Sequence, residues 1–260
     1  MEIALVFIFG LFLGSFLNVV IFRLRREETF VRGRSKCLFC SHQLHPQDLV
    51  PFFSYFYLGG KCRYCKHKFS AQYPMVELLT ALSLVLVFIN VMPGDIYHAT
   101  YMQWLALLNW WVAVAFLILI FVYDLKYYLV ADAVVLPAAA IAFIFNLVLG
   151  MDIWKLLLAC LVGAGFFLLQ FVVSKGKWIG EGDIRIGLFM GALLGWPNIL
   201  LALVLSYTLG SVISIFLILG NKKKWTDRVP FGTFLTMGTF AALLYGAEII
   251  KWYFNLFSFY

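Results

Sequence analysis

The stretch that decides the fold runs from residue 177 to residue 185 and reads Lys177-Trp178-Ile179-Gly180-Glu181-Gly182-Asp183-Ile184-Arg185. Its glycines and acids interrupt a strongly apolar sequence, and a new apolar run begins directly after Asp183. Another acid, Asp124, ends an earlier apolar run. An acid at a membrane boundary is costly, so both residues are functional candidates.

The composition points to a membrane protein. Of the 260 residues, 63% are hydrophobic and 13% charged, against roughly 45–50% and 25% in soluble domains. The N-terminal run lacks a basic lead-in and a clear cleavage site, which predicts a retained span rather than a removed signal peptide. The candidate spans are Glu2–Phe22, Tyr73–Val91, Tyr101–Tyr123, Val130–Leu149, Ile153–Val173, Ile184–Trp196, Ile199–Leu219 and Phe231–Ile250. We therefore expect an all-α polytopic membrane protein with about eight transmembrane helices.

Basic residues predict how these spans are oriented. The loop between the first two spans carries ten Lys and Arg and three acids, a net charge of +7 that equals the formal charge of the whole chain. Because basic loops stay in the cytoplasm, we expect this loop inside, with both chain ends outside. The expected parts are residues 1–22 as the first transmembrane helix, 23–72 as a cytoplasmic loop and 73–260 as a transmembrane core. Such basic loops face anionic membrane lipid, and nucleic-acid binding is not expected.

Four cysteines in the polar loop form two C-x-x-C pairs, Cys37 with Cys40 and Cys62 with Cys65. Two such knuckles can close a tetrahedral four-sulfur zinc site. The metal would supply folding energy that a short polar loop lacks. Disulfides or free thiols are the alternatives, and a cytoplasmic location disfavours stable disulfides. Because four thiolates complete a tetrahedron, the neighbouring histidines are not expected as ligands, and Cys160 is expected to pack within its span.

The span count places Asp124 and Asp183 at the same membrane face. Two neighbouring carboxyl groups can share one proton, so that one activates water while the other polarises a peptide carbonyl, which is aspartyl protease chemistry. Gly180 and Gly182 would let a substrate backbone approach closely. Two alternatives stay open at this point: acids that simply face the cytoplasm, and a proton relay in a small transporter.

Two further acids are candidates for supporting roles. Asp132 begins the fourth span at the same face, where it can act with the acid pair or cap the helix N-terminus. Glu77 lies just inside the second span, after Tyr73-Pro74. A carboxylate there requires a polar or basic partner.

Several motifs, in this order, resemble the bacterial type IV prepilin peptidases, which are GxGD-type membrane aspartyl proteases. They are Gly10-x-x-x-Gly14-Ser15-Phe16-Leu17-Asn18-Val19-Val20-Ile21-x-Arg23-Leu24, Ser35-x-Cys37-x-x-Cys40 with Cys62-x-x-Cys65, Val50-Pro51-Phe52-Phe53-Ser54-Tyr55, Tyr73-Pro74-Met75-Val76-Glu77-Leu78-Leu79, Gly180-x-Gly182-Asp183 and Arg228-Val229-Pro230-Phe231-Gly232. Asp124 matches the first catalytic aspartate of the family and Asp183 the second. The chain departs from the family pattern at Arg25, Ala131 and Thr233, where proline is usual, and at Arg185, where lysine is usual. The role of Asp132 therefore stays open.

The resemblance implies a substrate and a second activity. It implies that pilin-like precursors lose a short basic leader at the cytoplasmic face of the bacterial inner membrane. It also implies zinc in the cysteine loop, and methylation of the new N-terminal amine with S-adenosylmethionine. No glycine-rich methyl-donor motif is present, so the sequence names no donor-binding residues. The rivals are a peptidase without methyl transfer, a proton-coupled transporter and a membrane-anchored zinc-knuckle scaffold.

Overall fold

The computed structural model describes residues 1–29, 33–94, 96–220 and 229–257. Within these ranges the chain is helical, and isolated bridges in the cysteine loop are its only extended pairings. Arg32 of the basic loop and the segment 221–228, which includes the motif residue Arg228, lie outside the described residues. The prediction of an all-α chain is confirmed.

All eight expected segments form helices, and one short helix is added in the cysteine loop. The helices are α1 (Glu2–Arg25), α2 (Phe53–Tyr57), α3 (Gln72–Val91), α4 (Tyr101–Tyr127), α5 (Asp132–Val148), α6 (Ile153–Ser174), α7 (Glu181–Leu194), α8 (Asn198–Leu219) and α9 (Phe231–Phe257). In the described part of the chain, six helices are long and apolar enough to cross a membrane: α1, α3, α4, α6, α8 and α9. The chain is therefore a multi-pass membrane protein.

Apart from the five-residue α2, two of the described α-helices are shorter than a membrane span. Helix α5 has 17 residues and α7 has 14, which correspond to about 26 Å and 21 Å at ~1.5 Å per residue. The hydrocarbon core of a bilayer is roughly 30 Å thick. All eight expected spans therefore form helices, and six of these helices, in the part of the chain that the structure describes, are long enough to cross the membrane completely.

The chain forms two compact units, Met1–Ala99 and Thr100–Tyr260. The first unit contains α1, the cysteine loop with α2, and α3. Helix α3 packs on α1. That contact depends on glycine: a Cβ on Gly10 would lie 2.5 Å from Ala81 Cα, and one on Gly14 would lie 2.6 Å from Glu77 Cα. Small residues of this kind let transmembrane helices approach closely.

The second unit contains α4 to α9, and α7 is its most enclosed helix. Helix α7 contacts α5, α6, α8 and α9. Its Ile186, Phe189 and Met190 side chains are fully buried. Gly187 packs against Gly163 of α6 so closely that a Cβ on either glycine would clash with the carbonyl oxygen of the other. The stretch 177–185 therefore leads into the helix around which the second unit is packed.

Candidate active site and zinc site

Asp124 lies in the last turn of α4, with its buried carboxyl group at the N-terminus of α9. The Thr233 backbone N–H donates to Asp124 Oδ2 at 2.9 Å, and the Gly232 N–H also donates to this carboxyl group. The first four N–H groups of a helix lack partners within the helix, so a carboxylate satisfies them and interacts favourably with the helix dipole. These contacts hold the carboxyl group in one orientation.

Gly232 is required for that contact. A Cβ on Gly232 would lie 2.8 Å from Asp124 Oδ2 and 3.0 Å from Ile186 Cδ1. Only glycine lets the first turn of α9 approach both α4 and α7 at this point. The last of the sequence motifs contains Phe231-Gly232, for which the sequence indicates no function. The structure places Gly232 beside Asp124.

Asp183 occupies the third position of α7, and its side chain is also buried. Its Oδ2 atom accepts a hydrogen bond from the Gly180 N–H at 3.0 Å. This bond satisfies one of the free donors at the start of α7. Asp183 therefore helps to cap the start of α7, and the same hydrogen bond holds its carboxyl group in place.

The structure brings Asp124 and Asp183 close enough for their carboxyl groups to interact electrostatically. Tyr207 of α8 also interacts electrostatically with Asp183, while its hydroxyl donates to Gln170 Oε1 at 2.9 Å. Sequence reasoning missed Tyr207 because a tyrosine in an apolar run carries no distinguishing signal. Two neighbouring buried carboxyl groups can share a proton and act as a base and an acid.

The two glycines of the motif have different surroundings. A Cβ on Gly182 would lie 2.5 Å from Val130 Cβ, so Gly182 is needed for packing between α7 and the α4–α5 connection. The position of a Cβ on Gly180 is open, with no atom nearer than 3.9 Å. The prediction that substrate backbone approaches here stays a prediction, and the open space favours Gly180 over Gly182.

Asp132 does not join the buried pair. It occupies the first position of α5, its side chain is 51% exposed, and it forms an ion pair with Arg185 of α7. The pair links the α4–α5 connection to the first turn of α7. This arrangement favours a positioning role for Asp132 over direct chemistry.

The four loop cysteines form a cluster that fits one zinc ion. The Sγ atoms of Cys37, Cys40, Cys62 and Cys65 all lie within 4.8 Å of one another, and no disulfide joins the described cysteines. Cys37 Sγ and Cys65 Sγ are 3.9 Å apart. A tetrahedral site with Zn–S bonds of about 2.3 Å requires sulfurs about 3.8 Å apart. The donor set and its spacing therefore match zinc.

The two knuckles have the same backbone arrangement. The Cys37 N–H donates to the His42 carbonyl at 2.9 Å, and the Cys62 N–H donates to the His67 carbonyl at 2.8 Å. The rings of the two knuckles pack against each other: Phe39 stacks on His67 with centroids 3.3 Å apart, and Tyr64 packs at a tilt on His42 with centroids 3.7 Å apart. The histidine rings thus pack rather than ligate, consistent with a site of four cysteines.

An ion pair fastens the segment between the knuckles. Asp48 accepts from Arg63 Nε at 2.7 Å, from the Tyr64 hydroxyl at 3.0 Å and from the His45 N–H at 3.1 Å. Burial opposes ionisation of Asp48, but these donors hold the pKa of its carboxyl group below its usual value. The connecting segment is therefore fixed to the second knuckle.

Glu77 of α3 finds polar partners in the same unit, as the sequence required. Its Oε2 atom accepts from the Phe52 N–H at 2.7 Å, and its carboxyl group also bonds with Ser15 of α1. Phe52 has φ +64° and ψ −58°, and the Phe53 N–H donates to the Pro51 carbonyl at 2.7 Å. This is a γ-turn with positive φ, a rare and strained conformation. Glu77 holds that turn from a buried position.

Comparison with known protein families identifies both units. Residues 8–91 match the model described as the bacterial peptidase A24 N-terminal domain, and residues 111–215 match the type IV leader peptidase family. The first match covers the cysteine loop and Glu77, and the second covers Asp124 and Asp183. No solved structure matches the chain.

Curated relatives extend over nearly the whole chain. The prepilin leader peptidase/N-methyltransferase of Aeromonas salmonicida is 35% identical over 96% of this chain and 93% of that protein. The protein of the same name from Aeromonas hydrophila is 34% identical over 96% and 93%, and that from Bacillus subtilis is 29% identical over 98% of both chains. With two buried acids at the ends of α4 and α7 and this similarity throughout, the chain belongs to the type IV leader peptidase family.

Proposed function

We propose that this enzyme cleaves the leader from type IV prepilins and methylates the new N-terminal amine. The observation that carries the peptidase activity is the pair of buried, interacting carboxyl groups of Asp124 and Asp183. They lie in the unit that matches the type IV leader peptidase family. The methyltransferase activity follows from the relatives, whose name includes it.

In the proposed reaction the acid pair holds one proton between its members. The ionised carboxylate takes a proton from water while the protonated carboxyl group polarises the scissile carbonyl. Backbone donors orient both groups before substrate binds, which lowers the reorganisation needed during the reaction. Because the two carboxyl groups titrate as a coupled pair, the assignment of base and acid belongs to the pair rather than to either residue.

The proposed substrates are precursors with a short basic leader followed by an apolar helix. The excess of basic residues in the loops supports a location of the C-terminal end of α4 and the start of α7 at the cytoplasmic face of the bacterial inner membrane. A leader that stops at that face would meet the acid pair there. A proton-coupled transporter is disfavoured, because it would hold its acids near the midplane on paired half-helices.

Zinc would occupy the four-cysteine cluster as a structural ion. Four thiolates complete the tetrahedron and leave no open position for water or substrate. The ion would fix the two knuckles to each other and so maintain the fold of the loop between α1 and α3. S-adenosylmethionine would supply the methyl group and leave as S-adenosylhomocysteine, and the amine that receives the methyl group would release one proton.

Cleavage of a leader-bearing precursor by Asp124→Asn and Asp183→Asn variants tests the peptidase proposal. Asparagine keeps a side-chain oxygen that can accept from the Thr233 or Gly180 N–H, so each variant retains its helix contact. We expect cleavage to fall by about 10²–10⁴-fold or more. Near-normal cleavage by either variant would show that the pair is not the catalytic centre. Asp152→Asn, at the exposed start of α6, serves as the control.

A further inference from the structure

The first unit contains a cavity of about 190 Å³ that the peptidase activity does not use. All of its lining residues lie between Ser15 and Glu77, within Met1–Ala99. One wall is the end of α1, another is the start of α3, and the third is the cysteine loop with α2. The cavity is also lined by Lys36, Leu38 and Leu44 of the cysteine loop, so it exists only when that loop is folded.

Three acids line this cavity: Glu28 is exposed, Asp48 forms an ion pair, and the third, Glu77, is buried. It is 6% exposed, and its recorded partners are the Phe52 N–H and the Ser15 side chain. Within the described residues, no ion pair is formed by Glu77. A buried carboxylate without a cation is costly, so such a group marks a place where a positive charge is expected to bind.

The remaining lining completes a pattern for a zwitterionic ligand. Arg26, Arg34 and Lys61 provide positive charge at the exposed side, which suits a carboxylate. Phe22 of α1 and Tyr73 of α3 stack with centroids 5.2 Å apart, and both line the cavity. Aromatic side chains provide surfaces for a planar base and for an organic cation.

We propose that this cavity binds S-adenosylmethionine, with a positive centre of the donor facing Glu77. The donor carries a carboxylate, a planar adenine and two positive centres, and the lining residues offer counterparts for the carboxylate, the adenine and one positive centre. This inference rests on the proposed methyl transfer, because leader cleavage requires no methyl donor. It assigns the donor to the unit that holds the cysteines and leaves Asp124 and Asp183 to cleavage.

The strained γ-turn at Phe52 fits this assignment. Backbone strain persists where the surroundings hold it, and it is concentrated at binding and catalytic sites. Glu77 accepts from the Phe52 N–H and lines the cavity as well. Glu77 therefore fixes the turn at Phe52 and also supplies buried negative charge to the cavity.

Equilibrium binding of radiolabelled S-adenosylmethionine to the purified full-length protein tests the proposal. Glu77→Gln removes the charge but keeps an oxygen that can accept from the Phe52 N–H. We expect at least about tenfold weaker donor binding, while binding of neutral adenosine changes little. Glu27→Gln removes a nearby exposed charge that does not line the cavity, and it should bind the donor as the unaltered chain does.

A second variant tests whether the donor binds in this cavity, without altering the charge of the lining. Ser54→Trp fills the cavity from α2 and should weaken binding of both the donor and adenosine. Unchanged donor binding by either Glu77→Gln or Ser54→Trp would overturn the proposal. An equal loss of donor and adenosine binding in Glu77→Gln would overturn the charge assignment.

The same assay separates this inference from the proposed peptidase activity. Asp183→Asn should bind S-adenosylmethionine with unchanged affinity although it no longer cleaves precursor. Absence of donor binding in the unaltered protein would overturn the cavity assignment and leave the cleavage proposal standing. Cleavage by Asp183→Asn would overturn the cleavage proposal and leave the cavity assignment standing.

Discussion

The two units of this chain both bury carboxyl groups, but in different surroundings. In Thr100–Tyr260, Asp124 and Asp183 interact with each other and with the N-terminal N–H groups of α9 and α7. In Met1–Ala99, Glu77 is buried and forms no ion pair with the described residues, and it lines a cavity together with basic, aromatic and two further acidic side chains. Two acids that share a site suit proton transfer, and a single unpaired acid suits binding of a cation. The difference indicates one reaction for each unit.

The cysteine cluster gives the strongest test of the first unit. Cys37→Ser removes one of four ligands, so we expect loss of bound zinc, weaker S-adenosylmethionine binding and loss of methyl transfer. The Asp124–Asp183 pair lies in the other unit, and leader cleavage should be affected less than methyl transfer. Metal analysis of the purified protein measures the zinc, and Cys160→Ser in α6 is the control. Full zinc content in Cys37→Ser, or none in the unaltered protein, would contradict the zinc site.

Gly232 provides the corresponding test of the second unit. Gly232→Ala places a Cβ 2.8 Å from Asp124 Oδ2 and should displace the carboxyl group. Displacement of a reacting group by about 1 Å can reduce a rate by roughly 10²-fold. We expect a reduction of that size in kcat for leader cleavage, with donor binding unchanged. Gly165→Ala in α6, where the Cβ meets open space, is the matched control, and equal cleavage by the two variants would remove the proposed importance of this contact.

The glycines of the 177–185 stretch separate substrate approach from packing. Gly180→Ala meets no atom nearer than 3.9 Å, so the fold should be retained while cleavage falls by about tenfold, or ~1.4 kcal/mol. Gly182→Ala should instead lower thermal stability, because its Cβ would overlap Val130. Thermal unfolding and precursor cleavage, measured on both variants, check this expectation. Normal cleavage by Gly180→Ala would exclude a substrate contact at that residue.

Asp132 should have the smallest effect. Its ion pair with Arg185 is exposed, and exposed pairs contribute about 0–1 kcal/mol. Asp132→Asn is therefore expected to reduce cleavage by no more than about fivefold. A loss as large as that of Asp183→Asn, measured in the same cleavage assay, would move Asp132 into the catalytic set and change the account of the second unit.

Much of the architecture could be predicted because membrane helices have long apolar runs. The sequence predicted eight helical segments and the cysteine pairs, and these are local patterns of composition and spacing. The spacing of Gly10 and Gly14 is typical of helix packing in membranes, and both glycines contact α3 closely. The sequence also predicted a short sixth span, Ile184–Trp196, and α7 is indeed only 14 residues long, ending before Gly195, which has φ +65°.

The contacts around the acids could not be predicted in the same way. Asp124 binds the start of α9 at Thr233, which lies 109 residues later in the chain. Glu77 reaches the backbone of a loop residue, Phe52, whose conformation no local pattern indicates. The different surroundings of Gly180 and Gly182 likewise depend on Val130, which precedes α5. Long-range packing decides these points, and sequence periodicity does not report it.

Mass spectrometry of one pilin precursor, incubated with S-adenosylmethionine and each variant, tests the division of labour most directly. The spectrum reports leader removal and the added methyl group together. We predict that Asp183→Asn leaves the precursor uncut, and that Glu77→Gln yields cut pilin without the methyl group. Methylated pilin from Glu77→Gln, or cut pilin from Asp183→Asn, would contradict the account.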